Sequence, residues 1–221
     1  MLPTYCVKWL PVFCVIATVL FACAVEQPMM GTVFDGRDKA FDFELSNQYG
    51  QKVSLADFRG QIVVLTFVYT SCSDTCPIVT SHLKKLYDML GEQVEGVVFL
   101  AVSVDPKRDT VERAYEYSEQ WDMLDKWNLL VGDSETLKSI WKEYYIDPVL
   151  SQNNNALLSG KKLSNTRNDV VSGLQQKVIA KYDILHSTPV YLIDDHGVLR
   201  VLFTLPFDPE SVSNDIRLML D

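Results

Sequence analysis

A single small α/β domain is what this chain predicts, and three features of its 221 residues predict it. Strand-like segments alternate with segments of helical period, and the chain closes in a hairpin followed by a helix. A run of β-formers over 61–69 and a continuous apolar run over 97–104 have the length and composition of strands. Cys72 and Cys76 stand where the first of these runs gives way to a helix. An apolar content of 48% with four tryptophans is enough for a real core. The formal charge of -9 argues against a nucleic-acid partner, whose phosphates reward basic surfaces.

Residues 9–25 carry no charge and follow Lys8, the pattern of a secretory signal or a membrane anchor. The stretch is short against the about 20 apolar residues that a spanning helix needs. Ala22-Cys23-Ala24 resembles a signal-peptidase site, and Leu20 to Cys23 resembles a bacterial lipobox with Cys23 as the lipidated residue. A retained anchor is the third fate. All three put the domain on the periplasmic side of a bacterial cell envelope, associated with the membrane through residues 1–25. The segment has no arginine and so lacks the look of a mitochondrial transit peptide. Cys6 and Cys14 read as apolar filler within it.

Residues 26–37 carry Pro, Gly and charge without periodicity and read as a linker; the domain proper is expected over 38–221. Phe41–Leu45 and Lys52–Leu55 alternate apolar and polar around Asn47–Gly50, which predicts an N-terminal β-hairpin. After the strand 61–69, Val79, Leu83, Leu86 and Leu90 share one helical face and Gly91 ends it; Pro77 suits the first helical position. The run 97–104 predicts a strand buried on both faces. Asp109 or Thr110 can cap the next helix, with Val111, Ala114, Tyr115, Ser118 and Trp121 inward. A short strand over Asn128–Val131 and a helix over Ser134–Tyr145 follow. Residues 151–180 are polar and low in aromatics, and read as a long surface insertion with a short helical piece near Leu174–Ala180. Pro189–Ile193 and Val198–Thr204 form the last hairpin, and a helix from Pro209 to Leu220 ends the domain.

Cys72 and Cys76 are the only cysteines beyond residue 23, and a pair at a strand-to-helix corner narrows the class to the thioredoxin-like fold. Pro189 agrees with it. At that point such folds place a cis proline facing the cysteines across the end of the sheet. The spacing Cys-x-x-x-Cys lets both sulfurs point at one ion and still allows a disulfide. A helix N-terminus stabilises thiolate, which is both a metal ligand and a nucleophile. Of the three histidines, His82 lies on the far side of its helix and His196 in a solvated turn. His186, three residues before Pro189, hangs from the loop adjoining the cysteines and is the candidate third ligand. Two sulfurs and one nitrogen favour copper, with zinc as the other choice.

The residues Phe67 to Pro77, Ser103 to Thr110 and Asp183 to Ser187 resemble the Sco/SenC family of copper-binding proteins, over roughly 38–218. The resemblance implies a thioredoxin-like metallochaperone that assembles the CuA centre of cytochrome c oxidase. On that resemblance Cys72, Cys76 and His186 bind a copper ion and Asp105 lies near the site. The implied partners are the oxidase subunit carrying CuA, together with other copper carriers or thiol reductants. Asp74 matches the acidic residue the family carries between its cysteines. Ser71 and Ser73 stand where the family more often has His and Pro, and Pro189 is more typical of thiol-disulfide oxidoreductases. The alternative function is therefore an extracytoplasmic thiol-disulfide reductase, with Cys72 and Cys76 as the catalytic, redox-active pair.

Overall fold

The computed structural model describes residues 28–36, 38–152 and 182–220. The expected leader and the helical piece near Leu174–Ala180 lie outside them. Six strands form the main sheet: β1 (Thr32–Val33), β4 (Ile62–Val68), β5 (Val97–Ser103), β6 (Asn128–Leu130), β9 (Val190–Ile193) and β10 (Leu199–Phe203). Their order is β1-β10-β9-β4-β5-β6. β4, β5 and β6 run parallel, whereas β9 is antiparallel to β4 and β10 to β9. Every residue of β4 is buried, as expected of a central strand with neighbours on both sides and cover on both faces. The expected hairpin forms as β2 (Glu44–Ser46) and β3 (Lys52–Ser54).

The helices are α1 (Thr75–Leu90), α2 (Val111–Gln120), α3 (Ser134–Glu143) and α4 (Pro209–Leu220). In α1, Val79, Leu83, Leu86 and Leu90 are buried as their spacing predicts. Gly91 ends the helix at φ 55, a conformation that favours glycine. Pro77 is the third helical residue and not the first. The first four N–H groups of a helix have no intrahelical acceptor, so the ring costs no hydrogen bond there either. On α2, Tyr117 is buried and Tyr115 is exposed, against the expected stripe. Tyr117 wins the inner place because its hydroxyl pairs with Thr80 Oγ1 of α1 at 2.9 Å and its ring stacks on Trp127.

The linker expected over 26–37 is not all linker, since β1 lies within it. A two-residue strand has no readable period, and tertiary contacts hold it. The fully buried Asp215 of α4 accepts from Met30 N–H at 2.8 Å and Gly31 N–H at 2.9 Å. A Cβ on Gly31 would strike Val201 and Phe203, so only glycine lets the chain approach β10 here. Asp215→Ala should therefore cost about 1–3 kcal/mol by orphaning these amides. The check is faster hydrogen exchange at Thr32 and Val33 together with a lower urea midpoint.

Two further strands were not legible, β7 (Val149–Gln152) and β8 (Tyr182–Leu185). They pair antiparallel in a separate two-stranded sheet, Val149 opposite Leu185. The expected insertion therefore begins after Gln152, because residues 151 and 152 belong to the ladder. The bond before Pro189 is a second correction. Among the described residues the cis peptide is Leu205–Pro206, and Thr188–Pro189 is trans. The chain reaches β9 without regular structure from 186 to 189, and the trans form, favoured by about 0.5–1 kcal/mol, serves that path.

Candidate metal centre

β4 and β5 run parallel, so their C-terminal ends lie side by side, and β9, antiparallel to β4, starts at the same end. Thr66 Oγ1 donates to Pro189 O at 2.8 Å and fixes that register. The cysteine corner after β4, Asp105 after β5 and the 186–189 segment before β9 thus meet at one end of the sheet. Both cysteines are free thiols; Cys76 is fully buried and Cys72 is half-buried.

Asp74 stands at the N-cap of α1, but its exposed side chain makes no capping hydrogen bond. Cys72 takes over that task. Its Sγ accepts from Cys76 N–H at 3.4 Å. The thiol of Cys76, donating to Cys72, is the largest cause that pushes the Cys72 thiol down to about 5. Burial opposes this, and the amides of Asp74 and Cys76 and the Tyr69 hydroxyl support it. Cys76 is pushed up by the same hydrogen bond and by burial. The pair therefore holds one thiolate and one thiol at neutral pH.

His186 is partly buried beside this pair, its ring edge-to-face with Tyr69 at 5.8 Å between centroids. Its Nδ1 lies 2.6 Å from Ser187 O, while Nε2 is buried without a hydrogen-bond partner. Burial holds the imidazole below its ordinary pKa, against the opposing pulls of Ser187 O and Cys72. Metal ligation requires a neutral imidazole with a free nitrogen, and this one meets both conditions. Two sulfurs and that nitrogen form a soft donor set suited to copper. The three donor atoms do not all lie within 4.8 Å of one another.

The described group that does meet that limit is Asp194, Asp195 and His196 in the β9–β10 turn, at the opposite end of the sheet. Its atoms are already engaged. Asp194 accepts from the amides of His196 and Val198 and from Arg200, and His196 pairs with Asp195 at 2.5 Å. His82 stays outside the centre, stacked edge-to-face on Phe207.

Asp105 is 2% exposed and pairs with the guanidinium of Arg108. That guanidinium lies over the Tyr69 ring, 5.5 Å from its centroid. Asp109, offered by the sequence as a helix cap, is buried instead, and Thr110 alone caps α2. Its carboxylate accepts from Thr70 N–H at 3.1 Å, Thr70 Oγ1 at 2.6 Å and Ser103 Oγ at 2.6 Å. Ser103 Oγ also accepts from Asp105 N–H at 3.0 Å. One network thus runs from the cysteine corner to the end of β5. Asp109, Tyr69 and Arg108 were the positions missed as site residues. A second cap-type residue beside Thr110, and a tyrosine ending an apolar strand, were the available signals.

Residues 34–221 match the family model described as SCO1/SenC. Over 118 residues the chain is 28% identical to the SCO1 protein homolog of Bacillus subtilis, a match covering 53% of this chain and 60% of that protein. Copper-bound ScoI of Arabidopsis thaliana superposes with a TM-score of 0.63 at 22% identity, covering 83% of this chain and 99% of the other. The thioredoxin domain of a thiol-disulfide oxidoreductase from Bacteroides vulgatus gives 0.54 at 17% identity, covering 85% and 99%. At such identities these structures establish the fold, which is thioredoxin-like.

Proposed function

The chain belongs to the SCO1/SenC family, and from that premise we propose that it is a copper-binding metallochaperone acting in assembly of the CuA centre of cytochrome c oxidase. Copper is its cargo, held by the sulfurs of Cys72 and Cys76 and by Nε2 of His186. The observation that carries this reading is the buried, unpartnered Nε2 beside a thiolate–thiol pair. A buried polar atom without a partner costs stability unless a ligand completes it. A thiol-disulfide reductase would use the same cysteines and leave that nitrogen without a task, so the copper reading is the better one.

Asp105 supports the site from behind through Arg108 and Ser103 and is not itself a ligand. Cys72, the more accessible sulfur, is the ligand from which a partner takes the ion by exchange. The receiving partner is the oxidase subunit that carries CuA, and other copper carriers or thiol reductants would load or reset the pair. The function places the domain on the periplasmic side of a bacterial envelope, held there through residues 1–25. Among the described residues no helix is long and apolar enough to cross a membrane.

Titration of the reduced full chain with Cu(I) against a chromophoric chelator tests the reading. One ion per chain is expected. His186→Ala should weaken binding by more than the about 10–100-fold that loss of a ligand's outer partner costs. An unchanged affinity would rule out the three-ligand site.

A further inference from the structure

β8 belongs to a two-stranded sheet of its own and has no ladder to the main sheet. Yet it delivers His186, the next residue, to the cysteine corner that follows β4. Something must hold these two elements in register, and the contacts around one side chain do so. Tyr69 ends the run that enters the corner, three residues before Cys72, and is 3% exposed. Its hydroxyl accepts from the buried amide of Ile184, two residues before His186, at 3.2 Å. Cys72, three residues on in the same corner, lies close enough to this hydroxyl that each shifts the other's ionisation. Its ring meets the imidazole of His186 edge-to-face, and its other neighbour is the guanidinium of Arg108 at 5.5 Å.

A phenol has one proton to give and lone pairs that accept. Here a lone pair accepts from the strand that carries the nitrogen ligand. Phenylalanine would keep both ring contacts and lose the hydrogen bond to Ile184.

We propose that Tyr69 is a positioning residue whose hydroxyl and ring tie the strand bearing His186 to the cysteine corner, so that the third donor is held beside the cysteine pair. The proposal deepens the copper reading and rests on it. Tyr69 touches no cargo; it acts through His186 and Cys72.

The test uses Tyr69→Phe in the full chain, alone and combined with His186→Ala. In the metal-free protein, Tyr69→Phe should speed hydrogen exchange at the Ile184 amide by about tenfold, the equivalent of one lost hydrogen bond. The thermal midpoint should hold within a few degrees, because the ring and its packing remain. Cu(I) affinity should fall about tenfold or more, the scale of a lost outer partner. In the His186→Ala background the same change should have a much smaller effect on affinity, since the donor it positions is gone. An equal loss in both backgrounds would overturn the proposal. So would faster exchange at Ile184 with unchanged affinity, which would make the tie purely structural. If the wild-type chain binds no copper, the copper reading fails by itself, and the Ile184 exchange rate still shows whether the tie exists.

Discussion

Alkylation of Cys72 by iodoacetamide in the reduced protein, read from its own peptide by mass spectrometry, should proceed at a nearly constant rate at neutral pH and above, and slow only as pH falls through about 5. The thiolate is the reactive form, and Cys72 keeps it where an ordinary cysteine would be mostly protonated. In Cys72→Ser the other thiol of the corner, Cys76, is buried and pushed up, so labelling of the corner at neutral pH should drop by more than about tenfold. A wild-type Cys72 profile with an inflection in the ordinary cysteine range would show that the corner does not stabilise the thiolate. The sign for stability follows from the same shift. A thiol depressed in the folded state contributes stability above its unfolded pKa and loses it as pH falls through the folded value. The benefit of Cys72 is thus smallest in acid. Cys76 is shifted the other way, and its contribution is lost above its unfolded pKa.

Asp109→Ala should lower the free energy of unfolding by about 2–4 kcal/mol, because Thr70 and Ser103 then bury donors with no acceptor. Burial raises the Asp109 carboxyl to about 6, against the lowering effect of its hydrogen bonds to Ser103 and Thr70. A carboxyl raised on folding contributes most below its unfolded pKa and loses that contribution as pH rises through the folded one. The difference between wild type and Asp109→Ala, read by urea unfolding, should therefore narrow as pH rises through about 6. A difference that widens over that range would mean that the carboxylate's hydrogen bonds outweigh its burial. The loop that presents Cys72 hangs from this carboxylate, so Cys72 in the variant should also lose part of its thiolate character. The alkylation profile reads that directly.

The elements that the sequence revealed are those whose signal is local. Six of the seven consecutive buried residues of β4 are apolar, and the spacing of Val79, Leu83, Leu86 and Leu90 marks a helix face within one segment. The cysteine pair at that junction, with His186 in register before β9, pointed to the candidate centre for the same reason. β1 and β8 escaped because the partners that stabilise them lie far away in the chain. Asp215 reaches β1 across 185 residues, and Tyr69 reaches β8 across 115.

By itself, then, the sequence determined a thioredoxin-like α/β domain with two sulfurs and one nitrogen at one end of its sheet, since spacing and hydrophobic period depend only on near neighbours. Only the tertiary structure decided which tyrosine of α2 turns inward, that the bond before Pro189 is trans, and that Asp109 holds the cysteine loop rather than capping a helix. Each of those outcomes is a competition for burial and hydrogen bonds between residues brought together from different elements. No local pattern records which of the competitors finds its partner.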